Sequence, residues 1–124
     1  MRSRTKTTQV NGTNLAAATN YYPDSTGIDM DGISDISVGM VCSGGVTITF
    51  EASHDGTNFT DITKAGYSLN TNATGAASFI DKTDIVDFDG IDTKRFRVKS
   101  VTADASNAVL LTTRIEGETL VISG

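Results

Sequence analysis

Residues 45–61, Gly-Val-Thr-Ile-Thr-Phe-Glu-Ala-Ser-His-Asp-Gly-Thr-Asn-Phe-Thr-Asp, constrain the fold of this chain more than any other stretch. Val46, Ile48 and Phe50 alternate with Thr47, Thr49 and Glu51, the period-2 pattern of a strand with one buried face. Their β-branched side chains suit a pleated, half-buried surface. His54-Asp55-Gly56 interrupts the alternation, and Asp-Gly after alternating apolar residues is a strong hairpin signal. Phe59 and Ile62 then predict a return strand.

The rest of the chain agrees with that start. Residues 35–42 place Ile36, Val38 and Met40 on one alternating face, and Ser43-Gly44-Gly45 turns the chain into the central strand. Short strands are expected at 77–80 and 84–88. A stronger one at 94–101 has Phe96 and Val98 inward and Arg95, Arg97 and Lys99 outward. Residues 108–115 open on Ala-Val-Leu-Leu, which predicts burial on both faces. No window sustains a 3.6-residue apolar period, and the short run 15–18 is the best helical candidate. The expected fold is all-β, an antiparallel β-sandwich of jelly-roll or Ig-like type with extended N- and C-terminal arms. Its expected core is Val46, Ile48, Phe50, Phe96, Val98, Val109 and Leu111. The division is a basic arm at 1–14, a sandwich at 15–117 and a strand or tail at 118–124. At 124 residues the chain suits one domain that buries roughly two thirds of its unfolded surface.

Two loop readings accompany this. Asn20-Tyr21-Tyr22-Pro23-Asp24 reads as a loop whose tyrosines anchor it to the sandwich. Residues 64–75 read as a polar, glycine-rich loop with Tyr67 and Leu69 as its anchors.

Charge narrows the partners. The net charge is −5, from 10 basic and 15 acidic residues. No basic face of the kind that grips nucleic acid is visible in the body, so no nucleic-acid partner is expected. Arg2, Arg4 and Lys6 nevertheless give residues 1–9 a charge of +3, and −5 less +3 leaves −8 for the remainder. A basic leader on an acidic body is suited to reaching an acidic neighbour. The apolar run Leu120-Val121-Ile122 is a second candidate contact, because an exposed β-forming segment calls for a covering partner. Residues 5–13 hold no apolar core of a secretory leader, and no run approaches the roughly 20 apolar residues of a membrane span. No membrane partner is expected. Cys42 is the sole cysteine and reads as a buried, inert thiol, in keeping with synthesis in a reducing cytoplasm.

No residue set carries catalysis. His54 is the one histidine and sits in the hairpin turn, where nothing places it over a nucleophile. The acids lie mostly in turns, so no general acid and base stand out. The chain is expected not to be an enzyme and to use no cofactor. Ile28-Asp29-Met30-Asp31-Gly32-Ile33 echoes Val86-Asp87-Phe88-Asp89-Gly90-Ile91, and paired Asp-x-Asp-Gly elements are able to ligate calcium. The full ligand spacing is absent from both copies. Equivalent turns with inward apolar residues account for the echo without metal.

Residues 46–63, with their Ser-x-Asp-Gly-x-x-aromatic hairpin, resemble a hairpin of small β-sandwich proteins in tailed-phage virions. Residues 28–38 and 88–98 fit the same pattern, so the resemblance spans about half the chain. It implies a capsid decoration (cement) protein that binds the outside of an assembled phage head and stabilises it. The implied location is the capsid surface of a virion assembled in the host cytoplasm. The implied partner is the major capsid protein, and the implied state a homo-oligomer, with a trimer among the states allowed. The implied contact residues are Arg2, Arg4, Lys6, Leu120, Val121 and Ile122. The hairpin is similar also to that of discoidin-like carbohydrate-binding sandwiches. A glycan-binding module or a tail-accessory adhesion protein is therefore the alternative. In that motif the tryptophan position is Phe59 here, and the chain contains no Trp.

Overall fold

The computed structural model describes residues 2–11, 18–33, 35–91, 93–102 and 108–119, with 2–11, 18, 102 and 108–119 described through the backbone alone. Among the described residues eleven strands follow in chain order: β1 (Arg2–Asn11), β2 (Ala18–Tyr22), β3 (Ile28–Asp29), β4 (Asp35–Ser43), β5 (Val46–Ser53), β6 (Phe59–Asp61), β7 (Tyr67–Ser68), β8 (Phe79–Ile80), β9 (Thr83–Phe88), β10 (Arg95–Thr102) and β11 (Ala108–Thr119). They form two antiparallel sheets. The first runs β1-β11-β4-β9-β7, and the second runs β2-β10-β5-β6, with β3 added to β10 and β8 to β5. The all-β sandwich expected from the alternation is the observed fold.

The core lies between the sheets, built from the inward half of each alternating strand. Ile36, Val38, Met40 and Cys42 come from β4, and Val86 and Phe88 from β9. Against them pack Val46, Ile48 and Phe50 of β5 and Phe96 and Val98 of β10. Phe50 is the hub. Its ring meets Phe79 at 5.8 Å and Phe88 at 5.1 Å edge-on, and stacks on Phe96 at 6.1 Å. Such aromatic pairs add about 0.5–1.5 kcal/mol each beyond the area they bury. Five of the expected core residues, Val46, Ile48, Phe50, Phe96 and Val98, are fully buried. Of the other two, register sets Val109 opposite Cys42 and Leu111 opposite Met40.

The central hairpin forms between β5 and β6, with Glu51, Ala52 and Ser53 opposite Asp61, Thr60 and Phe59. Its turn spans residues 54–58, longer than a two-residue Asp-Gly turn, and Asp55 closes it. The Asp55 carboxylate accepts from the backbone N–H groups of Thr57 and Asn58, both at 2.8 Å, and from Ser53 Oγ at 3.0 Å. The echoed elements are turns too. Ile28, Met30 and Ile33 are buried in one copy, Val86 and Phe88 in the other, and Ile91 packs against the same core. Asp31 N donates to Asp29 Oδ1 at 3.0 Å, and Gly90 N donates to Asp35 Oδ1 at 3.0 Å. Gly32 and Gly90 sit at φ 74° and 67°, which side-chain-bearing residues rarely adopt.

Three expectations change. The Asn20–Asp24 stretch is no loop at its start, because Asn20, Tyr21 and Tyr22 complete β2 against Ser100, Lys99 and Val98. Thr and Tyr favour the strand, and the turn begins only at Pro23. Tyr67 and Leu69 do not anchor the loop over 64–75, since both are exposed. Its anchors are the polar Thr63 and Ser68 and the close-packed Gly66. Ser68 Oγ donates to the buried Asp84 at 2.6 Å, and the backbone N–H of Asn70 donates to the same carboxylate at 3.1 Å. Finally, residues 2–11 of the segment expected as an arm form a ten-residue edge strand, with Arg2 opposite Thr119 and Thr8 opposite Thr113.

Candidate functional site

Two outer faces and one edge carry the chemistry this fold presents. On the outer face of the second sheet, Arg97 of β10 stands directly opposite Glu51 of β5. Its Nε donates to Glu51 Oε1 at 2.8 Å, and Nη1 donates to the Ser25 carbonyl at 2.7 Å. The guanidinium also lies 4.0 Å from the Tyr21 ring centroid and 3.7 Å from that of Phe59. Alternation puts Arg97 outward, β2 supplies Tyr21 on one flank, and β6 supplies Phe59 beyond β5. A planar, weakly hydrated cation suits such a position between rings. The arrangement occupies ring faces that a sugar would need for stacking, so it reads as a clasp tying the 23–27 turn to the sheet.

The outer face of the first sheet differs. Alternation sets Val41 and Ile85 outward, and Leu69 enters from the turn after β7. They are 50%, 46% and 48% exposed. Gly39, opposite Ile85 in register, offers no side chain. The result is a groove of about 500 Å3 lined by these residues with Met40, Asn70, Thr83 and Asp84. Further along the same face, Asp87 lies opposite Ser37 and Tyr67. Partial burial, then the neighbouring Asp89, raises its carboxyl above the ordinary aspartate value. The face therefore grades from an apolar end to an acidic one.

Titration elsewhere follows the local contacts. The backbone N–H groups of Asn58 and Thr57, then the side chains of Asn58 and Ser53, hold Asp55 well below the usual carboxylate range. Burial, then the charge of Asp81, pushes the Cys42 thiol up to about 11. His54 is exposed at the hairpin tip. Among the described residues no group of three or more His, Cys, Asp or Glu is placed to hold a metal ion. No helix among them is long and apolar enough to cross a membrane.

Of the residues proposed from sequence as contacts, Arg2, Arg4 and Lys6 lie at alternate positions of β1, which brings them onto one face of an edge strand. Leu120, Val121 and Ile122 lie outside the described residues. Sequence reasoning missed the Val41–Leu69–Ile85 groove. Its signal was present: Val41 is apolar at an outward position of the strand whose inward face Ile36, Val38 and Met40 was assigned, and Ile85 lies within the short strand expected at 84–88.

No protein-family model matches the sequence, and no curated protein matches it significantly. The fold, however, is found among solved structures. The SPBc2 prophage-derived protein YomS superposes with a TM-score of 0.68 at 12% identity, covering 94% of this chain and 96% of its own. The PBSX exported protein XepA gives a TM-score of 0.67 at 13% identity over 94% of this chain, which spans 39% of that longer protein. A chain from Bacillus endospore appendages reaches a TM-score of 0.45 at 17% identity, too distant to carry an argument. The sandwich seen here is thus a fold that phage-derived proteins also use.

Proposed function

We propose that this chain is a structural protein of a phage particle that binds the outside of an assembled capsid and stabilises it. In this reading it has no chemistry of its own, and its partner is the major capsid protein. The Val41–Leu69–Ile85 groove carries the proposal. Contiguous apolar side chains left about half exposed on the outer face of a sheet mark a surface that a protein partner covers. The groove is small, so one copy binds weakly, and a homo-oligomer reaches useful affinity by engaging several equivalent sites of a lattice. The two phage-derived proteins with this fold support the phage setting.

Co-sedimentation with purified phage heads tests the reading. Wild-type protein is expected to pellet with heads and to raise their heat stability. Val41→Asp and Ile85→Asp, at exposed positions, are expected to keep the wild-type melting temperature within a few degrees and to stay in the supernatant. Wild-type protein that fails to pellet overturns the proposal, and pelleting by both variants removes the groove from it.

A further inference from the structure

The edge strands of this sandwich are unequal. β7, β2 and β6 contribute 2, 5 and 3 residues, whereas β1 contributes 10. Short edges limit unwanted pairing, and a long one leaves a row of backbone donors and acceptors open to another strand. Among the described residues β1 pairs with β11 alone.

Its charge pattern is equally specific. Arg2, Arg4 and Lys6 share one face of β1, and their register partners on β11 are Thr119, Gly117 and Ile115. None of these is acidic. The acids of that strand, Glu116 and Glu118, stand opposite Thr5 and Ser3, on the other face. The β11 positions directly opposite the stripe therefore carry no carboxylate. A second copy of β1 does not match the stripe either, because residues 2–11 contain no Asp or Glu in any register, and in the register centred on Arg4 antiparallel self-pairing sets Arg4 against Arg4 and Arg2 against Lys6. Like charges directly opposite one another disfavour such a pair.

We propose that β1 is a strand-docking edge for an extended acidic segment of another protein, with carboxylates at alternate positions opposite Arg2, Arg4 and Lys6. Backbone pairing supplies the affinity, the charge stripe fixes register and orientation, and the same stripe keeps copies of this protein from joining edge to edge. The inference deepens the capsid-coating proposal by naming the contact and the chemistry of the partner segment.

The probe is an acetylated peptide, Thr-Glu-Val-Glu-Thr-Glu-Val, with its Lys-for-Glu counterpart as control, titrated into the full chain under amide-resolved NMR. The acidic peptide is expected to shift resonances of residues 2–11 and slow exchange at alternate β1 amides, and the basic one to do neither. Raising NaCl from about 0.05 to 0.5 M is expected to weaken binding several-fold, a readout that needs no variant. The triple reversal R2E/R4E/K6E is expected to lose the acidic peptide by about a hundredfold and to gain the basic one. No perturbation of residues 2–11, equal response to both peptides, or indifference to salt overturns the inference. Head co-sedimentation separates the two proposals. If wild type and the triple reversal pellet equally, the edge is idle and the coating role stands. If wild type does not pellet yet the acidic peptide docks on β1, the coating role falls and the edge stands.

Discussion

Gly66 offers the sharpest test of how this core is packed. It follows the short 3-10 turn Thr63–Ala65 with φ −71° and ψ 135°, a conformation alanine adopts without strain. A Cβ there would lie 2.5 Å from Val86 Cγ1, 2.8 Å from Phe88 Cζ and 3.1 Å from Phe88 Cε2. Carbon atoms in contact prefer roughly 3.5–4.0 Å, and Val86 and Phe88 are fully buried with nowhere to retreat. Overpacking of this kind costs about 1–3 kcal/mol. Reduced freedom of the unfolded chain returns about 0.4–1 kcal/mol. Gly66→Ala should therefore destabilise by about 1–2 kcal/mol. Val86→Ala removes two buried methyl-sized groups and should cost about 2.5 kcal/mol in transfer and cavity terms. Independent effects would sum to about 4 kcal/mol. Removing Val86 Cγ1 relieves the nearer clash and leaves the one with Phe88, so the double variant should lose about 3 kcal/mol, a coupling of about 1 kcal/mol. Urea unfolding at constant m-value measures all four corners of the cycle. Additivity within about 0.5 kcal/mol, or a Gly66→Ala loss below that figure, refutes the packing argument.

Removing the Arg97 guanidinium abandons two ring contacts, a carbonyl bond and the partner of a largely buried carboxylate. Arg97→Ala should cost about 2–4 kcal/mol in urea and Arg97→Lys about half that, and a loss under about 0.5 kcal/mol would show the clasp to be idle. The carboxyl of Asp55 has its folded-state pKa depressed below 3.8, so its contribution is complete above that value and disappears as pH falls through the lower folded value. Between about pH 5 and pH 2 the melting temperature of wild type should drop more steeply than that of Asp55→Asn, and parallel curves would disprove the network. Cys42 carries a thiol raised from 9.0 to about 11, so the neutral form is favoured by folding and stability from this group falls as pH rises across that interval. At pH 8 the native thiol should resist iodoacetamide and react only as fast as the protein opens, whereas labelling within minutes would contradict its burial.

The fold was legible wherever alternation met a turn signal. β4 and β5 have apolar residues at every second position and glycine or Asp-Gly nearby, β10 keeps the alternation through Phe96 and Val98, and inward residues were assigned on all three. β1 was harder, because Arg-Ser-Arg-Thr-Lys-Thr-Thr-Gln has no apolar alternation. It is a strand through its ladder with β11, a contact across more than a hundred residues of sequence that no local window contains. β2 was obscured by Asn20 and Pro23, which punctuate like a loop, although Pro23 only begins the turn after the strand ends. In residues 108–111 the continuous apolar run removes the period-2 signal altogether, and only pairing with β4 sets Val109 opposite Cys42 and Leu111 opposite Met40.

The candidate surfaces divide along the same line. An apolar residue at an outward strand position is readable once the inward face is known, so Val41 and Ile85 were within reach of the sequence. Leu69 was not, because a two-residue strand and a turn deliver it, and its place depends on the backbone bond from its N–H to the Ile85 carbonyl. The Arg97 clasp was further out of reach. It gathers residues 21, 51, 59 and 97 from four strands, and each member alone reads as an ordinary outward polar or aromatic side chain. The basic stripe is the reverse case, visible in the sequence as three charges but without a direction. Register with β11 gives it one, by showing that Arg2, Arg4 and Lys6 face positions with no carboxylate while the acids of the same ribbon lie on the opposite side. Charge count alone describes a solvated leader. Charge count with register describes an edge whose facing positions on β11 offer no carboxylate.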